Sequence, residues 1–289
     1  MSSIFAPGKL MVGGEYAVLD GAPALVQAVS AGVTCQVTAH PHLRIDTPDG
    51  DDRFVRAALE EINAPSAHYR FSNVGMEGLQ SKPGVGGSAA ATVAAVRAGG
   101  GEGLEAYAIH HRVQGSGSGA DVAASLYGGL IRFQPKSPFP TVRRLPPVRP
   151  IVIFTGQSAK TGPRVAKYRA WAPEARQAFV RDMTAAVESF SDEPIAATKE
   201  MGALLLSMAL EAHIDYDTPA LVRIRALAAQ EGGAARASGA GGGDSAIAFF
   251  NDADQENAFI QTATADGFMI LPLKPAAPTG LIPYQEHTA

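Results

Sequence analysis

A chain of 289 residues with 46% hydrophobic content can bury a substantial core, as one large domain or two joined ones. Its net charge of −4, with Lys and Arg scattered and no block of like charge, argues against a nucleic-acid partner. The single cysteine, Cys35, excludes an intrachain disulfide and a cysteine-based metal cluster, and no uncharged apolar run approaches the ~18 residues of a membrane span.

The first segment, Met1 to Gly8, is short, and Lys9 interrupts the apolar run that follows, so no secretory leader is expected and the chain reads as cytoplasmic. Ile4 to Val12 and Ala24 to Ala39 carry the Val, Thr and Leu content of strands, with a turn near Asp20-Gly21 between them. Arg53 to Asn63 places Phe54, Ala57, Ala58 and Ile62 at helical spacing, and His68 to Val74 alternates as a strand does. Ser88 to Ala98 is alanine-rich and helical, Leu104 to Gln114 is a second helix, and Gly128 to Phe133 is a strand. Gln134 to Pro150 holds six prolines, too many for a helix or a central strand, and reads as a hinge or domain boundary. Beyond it come a short strand at Ile151 to Thr155 and helices at Arg176 to Phe190, Ile195 to Ala212 and Thr218 to Gln230, with Pro219 suited to a first turn. Ala234 to Phe250 contains a glycine-rich turn leading into an apolar strand. Gln255 to Ala265 is helical, Phe268 to Leu273 is strand, and the proline-rich tail from Pro275 is expected to be mobile. The alternation of helical and strand segments predicts a mixed α and β architecture.

Three segments are too rich in glycine for ordinary turns: Gly84-Val85-Gly86-Gly87-Ser88, Gly115-Ser116-Gly117-Ser118-Gly119 and Gly239-Ala240-Gly241-Gly242-Gly243-Asp244. The first opens a helix. Backbone N–H groups there can converge on an anion, the helix dipole favours it, and the Ser88 hydroxyl can reach a phosphate or its metal. A plain helix cap explains one such loop equally well. Gly84, Gly86 and Ala89 formally satisfy G-x-G-x-x-A, with Glu105 about twenty residues on, but Met76 to Pro83 is polar and irregular where that fingerprint needs a strand. No Walker A loop and no G-x-S-x-G elbow occurs, and the pairs His40/His42 and His110/His111 lack metal-site spacing. Lys9, Asp121 and Asp244 are candidates for handling phosphoryl charge and the nucleophile's proton, and on local grounds each also reads as an ordinary surface or first-turn residue.

The order of the loops carries a resemblance. Ala6-Pro7-Gly8-Lys9-Leu10 through Gly14 to Leu19, Lys82 to Ala90 (KPGVGGSAA) and Ser238 to Asp244 (SGAGGGD) resemble the three motifs of the GHMP kinases. Gly14-Glu15-Tyr16-Ala17-Val18-Leu19, Val113 to Ala123, Tyr127-Gly128-Gly129 and Thr155 to Thr161 are similar to the phosphomevalonate kinase branch, since mevalonate kinases usually carry His where Tyr16 stands. The resemblance implies an α+β, two-domain GHMP kinase fold. Residues 1–145 would form a domain like the second domain of ribosomal protein S5, and 146–289 a ferredoxin-like one. It implies ATP and Mg2+ as cofactors, with Gly84, Val85, Gly86, Gly87, Ser88 and Ala89 cradling the phosphates and the Ser88 hydroxyl on the metal. Lys9 and Asp121 would face each other across the transfer site. Tyr16, Ser116, Gly117, Ser118 and Gly119 would contact a small-molecule acceptor, phosphomevalonate or mevalonate, with Ser238, Gly239, Ala240 and Gly241 lining the cleft from the second domain. The implied product is diphosphomevalonate. A mevalonate kinase, another small-molecule kinase and a silent sensor of the same fold are the alternatives. Gly87 departs from the usual serine and removes one hydroxyl from the phosphate site. A phosphate acceptor is already largely ionised near neutrality and calls for extra cations, for which Lys9, Lys82, Arg112, Lys160, Arg164 and Arg236 stand in or beside the motifs.

Overall fold

The computed structural model describes residues 2–75, 83–136 and 139–279. A six-stranded sheet is built from β1 (Ser2–Gly13), β2 (Ala24–Ala39), β3 (Arg44–Asp46), β4 (Ala67–Val74), β5 (Leu130–Gln134) and β6 (Thr141–Leu145). The long β2 pairs antiparallel with β1 along one side, and with β5 and β4 successively along the other. A four-stranded antiparallel sheet, in the order β10-β7-β9-β8, comprises β7 (Ile151–Phe154), β8 (Ala234–Ala237), β9 (Ser245–Phe249) and β10 (Met269–Leu271).

Much of β1 and the first part of β2 are buried on both faces, which is why they read as nearly continuous apolar runs. Successive side chains point to opposite faces. Met11, Ala24, Val26, Ala28 and Val33 pack under α1 (Arg53–Glu61), α2 (Gly87–Ala98), α3 (Glu105–Gln114) and α4 (Ala120–Tyr127). Leu10, Val12, Leu25 and Val29 join the core that the second sheet forms with α6 (Pro173–Ser189), α7 (Pro194–Glu211) and α8 (Pro219–Gln230). α5 (Thr161–Ala170) and α9 (Ala253–Ala265) complete the chain. Pro219 opens α8, where Thr218 caps Leu221 N–H, so the first-turn reading of that proline holds.

Cys35 lies on the α1–α4 side of β2, fully buried, and burial pushes its thiol up to about 12. The thiol is therefore expected to ignore Ellman's reagent at pH 8 until the chain unfolds. Fast stoichiometric labelling of the native protein would contradict that placement.

Three expectations change. The proline-rich segment 134–150 is more than a hinge: its proline-free stretch Thr141–Leu145 forms β6, at the sheet edge where flanking prolines remove no central hydrogen bond. Thr161–Ala170 is a helix that the sequence reading left out, since Gly162 and Pro163 sit in its first turn, where Pro is tolerated. Of the tail expected to be mobile, Pro275 to Thr279 is tied down by hydrogen bonds, and the remainder lies outside the described residues. Ala276 N–H donates to Ala28 O (2.9 Å), Gly129 N–H to Ala276 O (3.2 Å), and Thr279 Oγ1 to Leu126 O (2.9 Å). Gly128 permits this approach, because a Cβ there would lie 2.3 Å from Ala277 O. Lys82 and nearly all of Met76 to Pro83 lie outside the described residues. Among the described residues, no helix is long and apolar enough to cross a membrane.

Candidate active site

The site begins with an irregularity in β1. Its register with β2 shifts between Pro7 and Gly8, where Pro7 has no N–H to donate, and the strand turns toward α2. Lys9 N–H then donates to Val85 O at 2.8 Å. Gly8 is required for that approach, because a Cβ would lie 2.4 Å from the same carbonyl.

Gly86, at φ 75°, forms the cap of α2. A Cβ on Gly86 would stand 3.0 Å from Lys9 Cγ and 3.8 Å from Asp121 Cβ, so the two side chains flank the same point at the helix entrance. Gly87 has open space around it and no positive φ. The two neighbours should thus respond oppositely to alanine. Gly86→Ala is expected to cost ~1–2 kcal/mol from its left-handed backbone, and Gly87→Ala to add up to ~1 kcal/mol through helix propensity. Urea midpoints test this, and equal shifts of the same sign would contradict it.

Ser88 Oγ lies 3.2 Å from His110 Nε2. His110 is buried, with its ring 5.2 Å from that of Phe54. Burial pulls its basicity below the usual histidine value and His111 adds to this, while the Asp121 charge opposes it. A neutral imidazole can accept the Ser88 hydroxyl proton and leave the oxygen's lone pairs facing outward. The sequence reading set His110 aside because it sought metal spacing; a helical histidine meeting a serine 22 positions away has no local signature.

The second glycine loop reverses the chain between α3 and α4, with Gly115, Gly117 and Gly119 all at positive φ. Asp121 follows in the first turn of α4, its Oδ1 accepting Val122 N–H at 3.0 Å. A cleft of about 180 Å3 brings together Lys9, Tyr16, Ser116, Gly117, Ser118, Asp121, Gly239 and Ala240, with Thr161 and Val165 of α5 in its wall. A hollow of about 320 Å3 adjoins it across the Ser116–Ser118 loop and Asp121.

Other expected site residues are committed elsewhere. Ser238 and Gly241 do not line the cleft. The Ser238 hydroxyl accepts Met11 N–H (2.9 Å) and donates to Met11 O (3.2 Å), fixing β1 where its register shifts again. Gly241 packs on the Tyr216 ring, and Gly119 serves as the cap of α4. Tyr16 reaches the cleft, but its hydroxyl donates to Ala240 O at 2.7 Å, and burial raises it far above an ordinary phenol. At φ 61° it is one of few non-glycine residues in the left-handed region.

Asp244 ties the third loop to the first. Its carboxyl rests on Gly84, where a Cβ would lie 2.6 Å from Asp244 Cγ, and its Oδ1 accepts Ala159 N–H at 3.0 Å. Burial raises its pKa, while the Ala159 N–H, Lys9 and Arg164 draw it down. Beneath the cleft, Arg236 Nη1 donates to Glu15 Oε1 at 2.5 Å and its Nη2 to Val12 O. This pair was not foreseen as such, because Glu15 and Arg236 stand 221 residues apart.

Two sheets of this topology, with a lysine and a carboxylate converging on a glycine-capped helix, are the setting of the chain's similarities, which lie with the GHMP kinases. The family signature described as GHMP kinases C terminal matches residues 194–266. The phosphomevalonate kinase of Streptomyces sp. (strain CL190) is 29% identical over 362 residues, spanning 94% of this chain and 96% of that protein. Among solved structures, the Lin0012 protein from Listeria innocua superposes with a TM-score of 0.85 at 24% identity, covering 96% of this chain and 99% of its own. The Streptococcus pneumoniae phosphomevalonate kinase in complex with phosphomevalonate and AMPPNP gives 0.80 at 20% identity, with 95% and 100% covered. The expected α+β, two-domain GHMP kinase architecture is the one observed.

Proposed function

We propose that this protein transfers the γ-phosphoryl group of ATP to phosphomevalonate, giving diphosphomevalonate and ADP. The observation that carries the reading is the convergence of Lys9 and Asp121 on Gly86, at the N-terminus of a helix and at the edge of a small cleft. Unpaired N–H groups and the helix dipole favour phosphate at that point. An acceptor oxygen attacks the γ-phosphorus, the bond to the β–γ bridging oxygen breaks, and ADP leaves. With a phosphate acceptor the attacking oxygen is mostly ionised near neutrality, its second pKa being about 6. The residual barrier is then the meeting of two anions, which the Lys9 ammonium lowers. Asp121 orients that ammonium and takes the proton of the minority monoanionic acceptor. The curated relative and the ligands of the S. pneumoniae structure support phosphomevalonate as acceptor and ATP as donor.

Mg2+ fits the residues present. Among the described residues no group of three or more His, Cys, Asp and Glu could cage a metal. Nucleotide-bound Mg2+ instead relies on phosphate oxygens and one or two protein groups, and the Ser88 hydroxyl at the head of α2 is suited to be one. When bound, the ion would neutralise phosphate charge.

Coupled ADP release over mevalonate, phosphomevalonate and homoserine tests the assignment. Turnover of phosphomevalonate alone is expected. Faster turnover of a neutral alcohol would reassign the acceptor, and no ADP with any acceptor despite measurable ATP binding would remove the kinase reading.

A further inference from the structure

Six basic residues stand in or beside the motifs, and the fold gives three of them a task elsewhere. Arg236 is buried against Glu15, and Arg112 pairs with Glu61. Lys9 belongs to the transfer point, and Lys82 lies outside the described residues. Arg164 is different. It sits in α5 between Thr161 and Val165, both in the cleft wall. Its Nε donates to Asp215 O at 3.1 Å and its Nη1 to Lys160 O at 2.8 Å. Both acceptors are neutral carbonyls, and Arg164 has no ion pair among the described residues.

The third glycine loop is shaped around this guanidinium. Gly242, at φ 74°, lets Arg164 Nη2 lie where a Cβ would be only 1.7 Å away. Nη2 makes no hydrogen bond among the described residues. A guanidinium held by carbonyls is oriented without being neutralised, the state that receives an oxyanion at least reorganisation. Its charge is felt by Tyr16 in the cleft and by Asp244 against the phosphate loop.

Resting on the kinase reading above, we propose that Arg164 is a specificity-determining residue: it receives an oxyanion of the acceptor and separates anionic acceptors from neutral ones. Arg164 stands outside the lining of the cleft, but Thr161 and Val165 on its helix and Tyr16, which feels its charge, line the cleft that also holds Lys9 and Asp121, and this places it on the acceptor's side. Lys160, the preceding cap residue, contributes its carbonyl to the guanidinium.

Calorimetric titration of phosphomevalonate and, separately, of ATP into wild type, Arg164→Gln and Arg164→Lys tests the proposal. Arg164→Gln is expected to weaken phosphomevalonate by ~10–100-fold, the scale of a lost hydrogen bond to a charged group, with ATP affinity unchanged. Arg164→Lys should recover only part of it, because an ammonium cannot reproduce the fork. Unchanged phosphomevalonate affinity in Arg164→Gln, a loss confined to ATP, or a wild type that does not bind phosphomevalonate would overturn the assignment. Unchanged ATP binding also shows that the variants are folded. A wild type that binds phosphomevalonate through Arg164 but releases no ADP would sink the kinase reading and leave this one standing.

Discussion

Lys9→Met is expected to lower kcat about 10^2–10^3-fold, the usual consequence of losing one preorganised charge from a transfer site. The ammonium is held where it is by three backbone features: the register shift after Pro7, the absence of a Cβ on Gly8, and the Lys9 N–H bond to Val85 O. A methionine keeps those contacts and the packing over Gly86 while removing the charge, so thermal unfolding should stay near that of wild type. Asp121→Asn is expected to lower kcat by about 10^2-fold or more. With a phosphate acceptor, its defect should deepen at low pH, where more of the acceptor is protonated. Steady-state kinetics between pH 6 and 8.5 separates the roles. Near-normal turnover in both variants would mean that the cleft transfers nothing at this point.

The second large effect concerns the floor of the cleft. Arg236 and Glu15 are 1% and 2% exposed, and their pairing joins β8 to the turn after β1. Removing one partner strands the other charge in the core, which costs ~3–5 kcal/mol. Glu15→Gln and Arg236→Met should each fall in that range in equilibrium urea unfolding. The double variant should recover part of the loss, since the second substitution removes the stranded charge. Glu15 Oε2 and Arg236 Nε have no partner among the described residues, so the pair is not fully satisfied even in the native state. Such an arrangement is weak evidence for stability and better understood as fixing the position of Tyr16 and the third loop relative to Lys9. Single variants as stable as wild type would contradict this account.

How far these residues could be read in advance depends on whether their signal is local. The helix at Arg53 was legible because its apolar residues repeat at helical spacing, and the one at Ser88, buried almost all round, through its alanine content. Lys9 and Asp121 were legible through motif order, not through periodicity. β6 and α5 were hidden by prolines that happen to sit where proline does little harm. The anchored tail was hidden because its bonds run to residues 28, 126, 127 and 129, far away in sequence. Arg236 illustrates the limit best. A basic residue next to a glycine motif suggests an anion site, and only the packed chain places it 2.5 Å from Glu15, out of reach of the cleft. Ser238 fell the same way, its hydroxyl taken by the backbone of Met11.

Phosphorus-31 NMR of wild-type protein with ATP, Mg2+ and phosphomevalonate tests the central claim most directly. Transfer at the Lys9–Asp121 point to a phosphate acceptor predicts loss of the phosphomonoester resonance and growth of a coupled pair of diphosphate doublets, in step with ADP. An unchanged phosphomonoester signal, or inorganic phosphate as the only new species, would contradict it.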